Sequence, residues 1–367
     1  MTDPLVRIER LTVALPKGGD RPYAVEDISF DIARGEIVCV VGESGSGKSV
    51  GASTLMGLLP RGLKIARGRA VVDGENVAEM TRERLRDLRG REVSMIFQEP
   101  LSALNPLMRV GAQIEELFEA HGAYPGAAGR ARILDLFRYV DLPDPPRLID
   151  AYPHQLSGGQ RQRVVIAMAL ALEPKVILAD EPTTALDVTT QAQVLDLLRR
   201  IRAEKGTSIL FVTHDFGVVA DFADRVVVME KGRIVEQGSV DQVLSAPKAD
   251  YTKKLVAAVP RLTPATLPPP EPETVLSVDG VTKTYGGRGV RAVDNVTLTV
   301  RRGETLGVIG ESGSGKSSLG RMIVRLIEAD EGHILFRGTD MTALPKEELR
   351  EARKALQMIF QDPLSSL

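Results

Sequence analysis

The 367-residue sequence predicts an α/β fold with a mostly parallel central sheet, followed by a partial second copy of the same fold. Three observations carry that expectation. The octapeptide Gly-Glu-Ser-Gly-Ser-Gly-Lys-Ser occurs twice, at Gly42–Ser49 and at Gly310–Ser317. Each copy follows an apolar strand-like run, Ile37–Val41 or Leu306–Ile309, and opens a helix-compatible stretch. Strand-like and helix-like segments alternate through the first two-thirds of the chain, the pattern of a parallel sheet with ligands at its carboxyl edge.

In chain order, Leu5–Leu15 and Ile28–Ile32 read as β segments. Arg69–Val72, before Asp73-Gly74, reads as a strand entering a tight turn. After Arg82 the pattern becomes helical, with helices expected over Val110–Ala120 and Gly129–Val140. Strands follow at Val176–Ala179, Ile209–Val212 and Arg225–Met229, with a helix at Thr190–Glu204 between the first two. The longest apolar run, Val164–Leu172, is half the ~18 residues that suggest a membrane span, and reads as a buried helix.

The repetition extends beyond the octapeptide. Ala24–Phe30 is echoed by Ala292–Leu298, Arg34-Gly35-Glu36 by Arg302-Gly303-Glu304, and Met95–Ser102 by Met358–Ser365. A spacing of about 265 residues is too long for a solenoid repeat and indicates a duplicated domain. Between the copies, Pro260–Pro272 is proline-rich and reads as a semi-rigid spacer. The expected organisation is a first domain at 1–259, a linker at 260–274 and the N-terminal part of a second domain at 275–367. That second part lacks everything corresponding to residues after about Leu104.

Lys and Arg total 47 against 49 Asp and Glu, so the net charge of −2 argues against a general nucleic-acid binder. Cys39 is the single cysteine and lies in a strand-like run, which excludes an internal disulfide and any multi-cysteine metal centre, and fits a reducing compartment. The N-terminus has neither the basic start nor the apolar core of a signal peptide.

The repeated octapeptide is a P-loop. Backbone amides around Gly42, Ser44, Gly45 and Gly47, and around Gly310, Ser312, Gly313 and Gly315, are suited to cradling phosphates. Lys48 and Lys316 reach the β/γ-phosphates, and the hydroxyls of Ser49 and Ser317 ligate Mg²⁺. A nucleoside triphosphate site follows. Leu156-Ser157-Gly158-Gly159-Gln160 puts Ser and two Gly at an expected helix N-terminus, where exposed amides and the helix dipole suit an anionic phosphate. Soon afterwards Val176–Ala179 ends in the paired carboxylates Asp180 and Glu181.

Together these motifs resemble the ATPases of ABC transporters. The resemblance implies a P-loop core with an antiparallel β subdomain and a helical subdomain. It makes Ser157, Gly158, Gly159 and Gln160 the signature. Asp180 and Glu181 resemble a Walker B pair, Asp180 holding Mg²⁺ and Glu181 acting as general base. Thr184–Asp187 resembles the D-loop, with Asp187 near both ATP sites, and His214 resembles the switch histidine that contacts the γ-phosphate. His121, His154 and His333 are given no catalytic role. Gln98 and Gln361 match the Q-loop glutamine that senses Mg²⁺ and water. The loop Glu99–Gly111, with apolar Leu101, Leu104 and Leu107, is expected to dock a permease helix. Tyr285 fits the slot of the aromatic residue that stacks on adenine in the second copy. In the first copy Leu15 falls there and Tyr23 lies nearby, so base stacking is unassigned.

Met95–Pro106, Tyr152–Leu170 and Tyr251–Pro260 resemble the dipeptide/oligopeptide importer branch, including members that fuse two ATPases in one chain. The implied cofactors are ATP and Mg²⁺. The implied partners are two membrane-spanning permease subunits, an extracytoplasmic solute-binding protein and a paired ATPase domain, but no nucleic acid. The implied location is peripheral, on the cytoplasmic face of the inner or plasma membrane. Two other readings stay open: a tandem ATPase acting on DNA or ribosomes, and a nucleotide-binding remnant without turnover.

Overall fold

The computed structural model describes residues 3–16, 18, 21–98, 103–184, 186–259, 271–286 and 289–360. The linker between Pro260 and Pro270, the Glu99–Ser102 stretch and Gln361 lie outside the described residues. By internal contacts the chain divides into two compact units, Met1–Arg261 and Leu262–Leu367.

In the first unit β1 (Val6–Ala14), β2 (Tyr23–Ile32), β4 (Lys64–Val72) and β5 (Glu75–Asn76) form an antiparallel sheet in the order β2-β1-β4-β5. The central sheet uses β3 (Ile37–Val41), β6 (Val93–Ile96), β7 (Val176–Asp180), β8 (Ser208–Thr213), β9 (Arg225–Glu230) and β10 (Arg233–Ser239), ordered β10-β9-β3-β8-β7-β6. Every neighbouring pair from β9 to β6 is parallel, and only the β10 edge runs antiparallel.

The central strands read as continuous apolar runs because both faces are covered. Val38, Val40, Leu178 and Leu210 point into a core shared with the antiparallel sheet. Ile37, Cys39, Val41, Ile177 and Phe211 point into a second core shared with the helices Val110–Ala120, Ala127–Tyr139, Gly158–Leu170 and Val188–Lys205. The apolar run at Val164 therefore belongs to a helix that starts six residues earlier, at Gly158, and ends at Leu170. Strand β2 starts at Tyr23, five residues before Ile28, and a register shift against β1 around Asp27 (φ 51°) breaks the alternation between the two.

The second unit holds an antiparallel sheet of β11 (Thr274–Tyr285), β12 (Val290–Arg301), β13 (Glu331–Phe336) and β14 (Thr339–Asp340), ordered β12-β11-β13-β14. The sequence repeat extends to single bonds. The Thr12 hydroxyl accepts from the Asp27 amide at 3.1 Å, and the Thr282 hydroxyl accepts from the Asn295 amide at 3.1 Å.

One expected element is not formed. Leu306–Ile309 is not in a strand, and Ile309 is 94% exposed. Its counterpart β3 is hydrogen-bonded on both sides, by β8 and β9, and the described residues of the second unit contain no such neighbours. An apolar run becomes a strand only when partners take up its amides and carbonyls.

Candidate functional site

The sheet order assembles the site. Strands β3, β8, β7 and β6 are adjacent and parallel, so their carboxyl ends lie along one edge. The P-loop leaves β3, His214 follows β8, Asp180 and Glu181 end β7, and Gln98 follows β6. Four segments far apart in sequence thus meet in one row, the position where open α/β sheets bind ligands.

The loop Gly42–Gly47 wraps the start of the helix Lys48–Leu55, whose N-terminus has no side-chain cap. At Gly47 the backbone is left-handed (φ 98°), and a Cβ would come within 2.6 Å of the Ala24 carbonyl. Gly315 repeats this, with the Ala292 carbonyl 2.1 Å from the corresponding point. Only glycine permits so close an approach. Lys48 Nζ donates to the carbonyls of Gly42 (2.7 Å) and Glu43 (2.9 Å). Burial pushes the Lys48 ammonium below its usual range, opposed by the nearby Glu181 and Asp180 carboxylates. The Ser46 hydroxyl is buried without a hydrogen-bond partner. In the second unit Lys316 Nζ donates to Gly310 O (2.6 Å) and Glu311 O (2.7 Å) in the same manner.

The Ser49 hydroxyl donates to Asp180 Oδ1 at 2.9 Å. Burial lifts the Asp180 carboxyl above its ordinary range, against the lowering effect of that bond. Glu181 adopts a left-handed backbone (φ 46°) directly after the strand. Its Oε2 accepts from Gln98 Nε2 (3.2 Å) and Thr184 Oγ1 (3.0 Å), and lies 3.2 Å from His214 Nδ1. Gln98, Thr184 and His214 therefore form one group around Glu181, next to the Ser49–Asp180 pair.

The signature residues are not joined to that group by any hydrogen bond among the described residues. Ser157 N-caps the helix Gly158–Leu170 in a capping box: its hydroxyl accepts from the Gln160 amide (3.3 Å), and Gln160 Oε1 accepts from the Ser157 amide (3.0 Å). Asp187 caps the helix Val188–Lys205 by accepting from the Thr190 amide at 3.0 Å.

The apolar residues of the loop after Gln98 are not placed alike. Leu104 is 3% exposed and belongs to the helical core, while Leu107 is 85% exposed. The difference arises because Gln113 latches the loop through Asn105 N, Asn105 O and Met108 O, turning Leu104 inward. Leu101 lies outside the described residues.

Tyr23 lines a cavity of about 580 Å³ with Glu9, Arg10, Thr12, Glu26 and Arg67, none of them a P-loop residue. Arg21, from the same hairpin, does reach the first P-loop: its guanidinium donates to the Gly45 carbonyl. No motif marks Arg21 in the sequence, because it lies in the connection between β1 and β2, where the two copies differ in length. Tyr285 ends β11, and its hydroxyl lies 3.4 Å from Ser318 Oγ in the helix after the second P-loop. Thr184, the third partner of Glu181, was visible only as part of the D-loop resemblance.

The ABC transporter family model matches residues 25–184 and 293–367. The chain is 46% identical over 376 residues to the peptidoglycan transport ATP-binding protein YejF of Agrobacterium fabrum, covering 100% of this chain and 68% of that protein. It is 40% identical over 403 residues to the glutathione import ATP-binding protein GsiA of Salmonella typhimurium, covering 99% of this chain and 65% of that protein. Among solved structures, a dimeric ATP-binding cassette in a post-hydrolysis state with ADP and Pi matches with a TM-score of 0.56 at 31% identity, covering 64% of this chain and 98% of that chain. The cbiO1 protein of Clostridium perfringens, part of the ABC transporter complex cbiONQ, matches with a TM-score of 0.57 at 29% identity, covering 71% and 98%. The chain belongs to the ABC transporter family, among its ATP-binding proteins.

Proposed function

We propose that this chain binds and hydrolyses ATP to energise an ABC importer of peptides or a related peptide-like solute. The observation that carries the reading is the convergence of Gln98, Thr184 and His214 on one oxygen of Glu181, beside Lys48, Ser49 and Asp180. Lys48 and the loop amides hold the phosphates, and the orphaned Ser46 hydroxyl fits a phosphate oxygen acceptor. Ser49 and Asp180, with Gln98 nearby, would hold Mg²⁺, since they are the hard oxygen donors this ion prefers. When bound, that ion supplies charge neutralisation on the β- and γ-phosphate oxygens. Glu181 accepts the proton of the attacking water, and His214 orients the carboxylate from the neighbouring strand end. In the second unit Gly310–Ser317 forms a further nucleotide cradle, with Tyr285 beside its helix and Gln361 as its Q-loop residue.

The reading extends to organisation. Residues 1–259 constitute one ATPase domain, 260–274 a spacer, and 275–367 carry the sequence of the N-terminal part of a second. Ser157–Gln160 and Asp187 meet the nucleotide of a paired ATPase domain, a role supported by the dimeric state of a matching cassette. Two permease subunits and an extracytoplasmic solute-binding protein complete the importer, with this chain peripheral on the cytoplasmic face. No helix among the described residues is long and apolar enough to cross a membrane. The exposed Leu107 on its latched loop supports permease docking there. Relatives named for peptidoglycan transport and glutathione import support a peptide-like cargo.

Glu181→Gln tests the mechanism. In an assembly that transports before mutation, ATP affinity should be retained while single-turnover hydrolysis falls roughly 10²- to 10⁴-fold, the range for a positioned general base. Parent-like hydrolysis by the variant would remove Glu181 from that role.

A further inference from the structure

The segment from Tyr251 onward matches a branch of the family, yet no step of ATP chemistry calls for it. The structure ties it to the first P-loop. Tyr251 lies in the last helix of the first unit, Asp250–Ala257, and its hydroxyl oxygen accepts from the Glu43 backbone N–H at 3.1 Å. That N–H belongs to the peptide between Gly42 and Glu43, whose carbonyl is Gly42 O. The same carbonyl accepts from Lys48 Nζ at 2.7 Å. One peptide plane is thus gripped at both ends, by the tyrosine hydroxyl on its N–H and by the catalytic ammonium on its C=O.

The phenol is held firmly enough to act as a fixed point. Glu236 accepts from the backbone amides of Lys248 (2.8 Å) and Ala249 (3.0 Å), which sets where the helix begins. Thr252 is fully buried, and Tyr251, Leu255 and Val256 pack against the helical core. Burial raises the Tyr251 hydroxyl above its ordinary range, so it remains a neutral phenol.

We propose that Tyr251 is a positioning residue of the first nucleotide site: its hydroxyl fixes the Gly42–Glu43 peptide, and through that peptide orients Lys48 toward the β/γ-phosphates. This rests on the P-loop reading above. Removing the hydroxyl releases the Glu43 N–H and leaves the peptide held only through its carbonyl, while the ring keeps its packing.

The test uses the full chain carrying Lys316→Ala, so that binding reports the first site. Dissociation constants for ATP and for inorganic tripolyphosphate are compared with and without Tyr251→Phe, alongside the nucleotide-free melting midpoint. The expected result is a roughly 2- to 10-fold weakening for both ligands, the range of one neutral hydrogen bond, with the midpoint nearly unchanged. Unchanged affinities, or a lowered midpoint without loss of affinity, would overturn the proposal. So would a loss confined to ATP, which would locate the effect at the base rather than at the phosphate cradle. Absence of ATP binding in the chain with Lys316→Ala alone would instead contradict the P-loop assignment itself.

Discussion

Cys39 sits at the middle of β3, three residues before the P-loop, fully buried between β8 and β9. Burial, with a smaller contribution from the Asp224 carboxylate, drives its thiol far above the ordinary value of 9.0. The folded chain therefore holds this proton where the unfolded chain releases it. By linkage the contribution of Cys39 to stability is constant below about pH 9 and declines as pH rises beyond it. A thiol attacks as thiolate, so labelling of the native chain requires opening of the first unit. At pH 8 we expect a disulfide-exchange reagent to modify Cys39 at least about 10³-fold more slowly than the urea-unfolded chain, as the stability of an ordinary domain implies. Saturating ATP should slow it further, because binding to the folded state alone adds to the opening free energy. Labelling at the rate of a free thiol would contradict the burial of β3.

Between elements, the signature helix and the helix after Asp187 meet at Gly159. A Cβ there would approach Thr190 Cγ2 within 2.8 Å, whereas a Cβ on Gly158 would touch nothing within 4 Å. Thr190 is not free to yield, since its hydroxyl donates to Asp187 Oδ2 at 2.9 Å and its amide to Oδ1. Gly158→Ala should leave stability unchanged or raise it by up to about 1 kcal/mol, by reducing the freedom of the unfolded chain. Gly159→Ala should cost about 1–3 kcal/mol through overpacking, as read from urea midpoints. Equal midpoints for the two variants would mean the helices are not in contact there. This contact was beyond sequence reasoning. The motif Leu156–Gln160 announces a helix N-terminus through its Ser and two Gly, but which helix packs on its second glycine depends on tertiary placement. The same limit separates β3 from Leu306–Ile309: two apolar runs look alike as sequence, and among the described residues the first alone has strands on either side. Gln98, Glu181 and His214 could be named singly from their motifs. Their convergence on one oxygen follows from a strand order that brings β3, β8, β7 and β6 together out of sequence order.

Across the whole molecule, one octapeptide is set in two surroundings. In the first unit Lys48 is 6% exposed, Asp180 accepts from Ser49, and β3 anchors the loop in a six-stranded sheet. In the second, Lys316 makes the same two carbonyl bonds and a third to Ser314 Oγ at 3.3 Å. There the residues leading into the loop, 304–310, belong to no strand, and no carboxylate accepts from Ser317 among the described residues. A cradle already in its binding shape needs little ordering by the ligand, whereas one without sheet support loses affinity to that ordering. With no carboxylate on Ser317 among the described residues, Mg²⁺ also has one oxygen donor fewer there. Equilibrium dialysis of the chain with labelled ATP should therefore resolve two classes of site differing by about tenfold or more, equivalent to at least ~1.4 kcal/mol. Lys48→Ala should abolish the tighter class, and Lys316→Ala the weaker one. Withdrawing Mg²⁺ should weaken the tighter class more than the other, which keeps Ser317 but has no carboxylate beside it among the described residues. Two sites of equal affinity and equal Mg²⁺ dependence would mean that the octapeptide alone, and not the sheet and carboxylate around it, determines how this chain holds nucleotide.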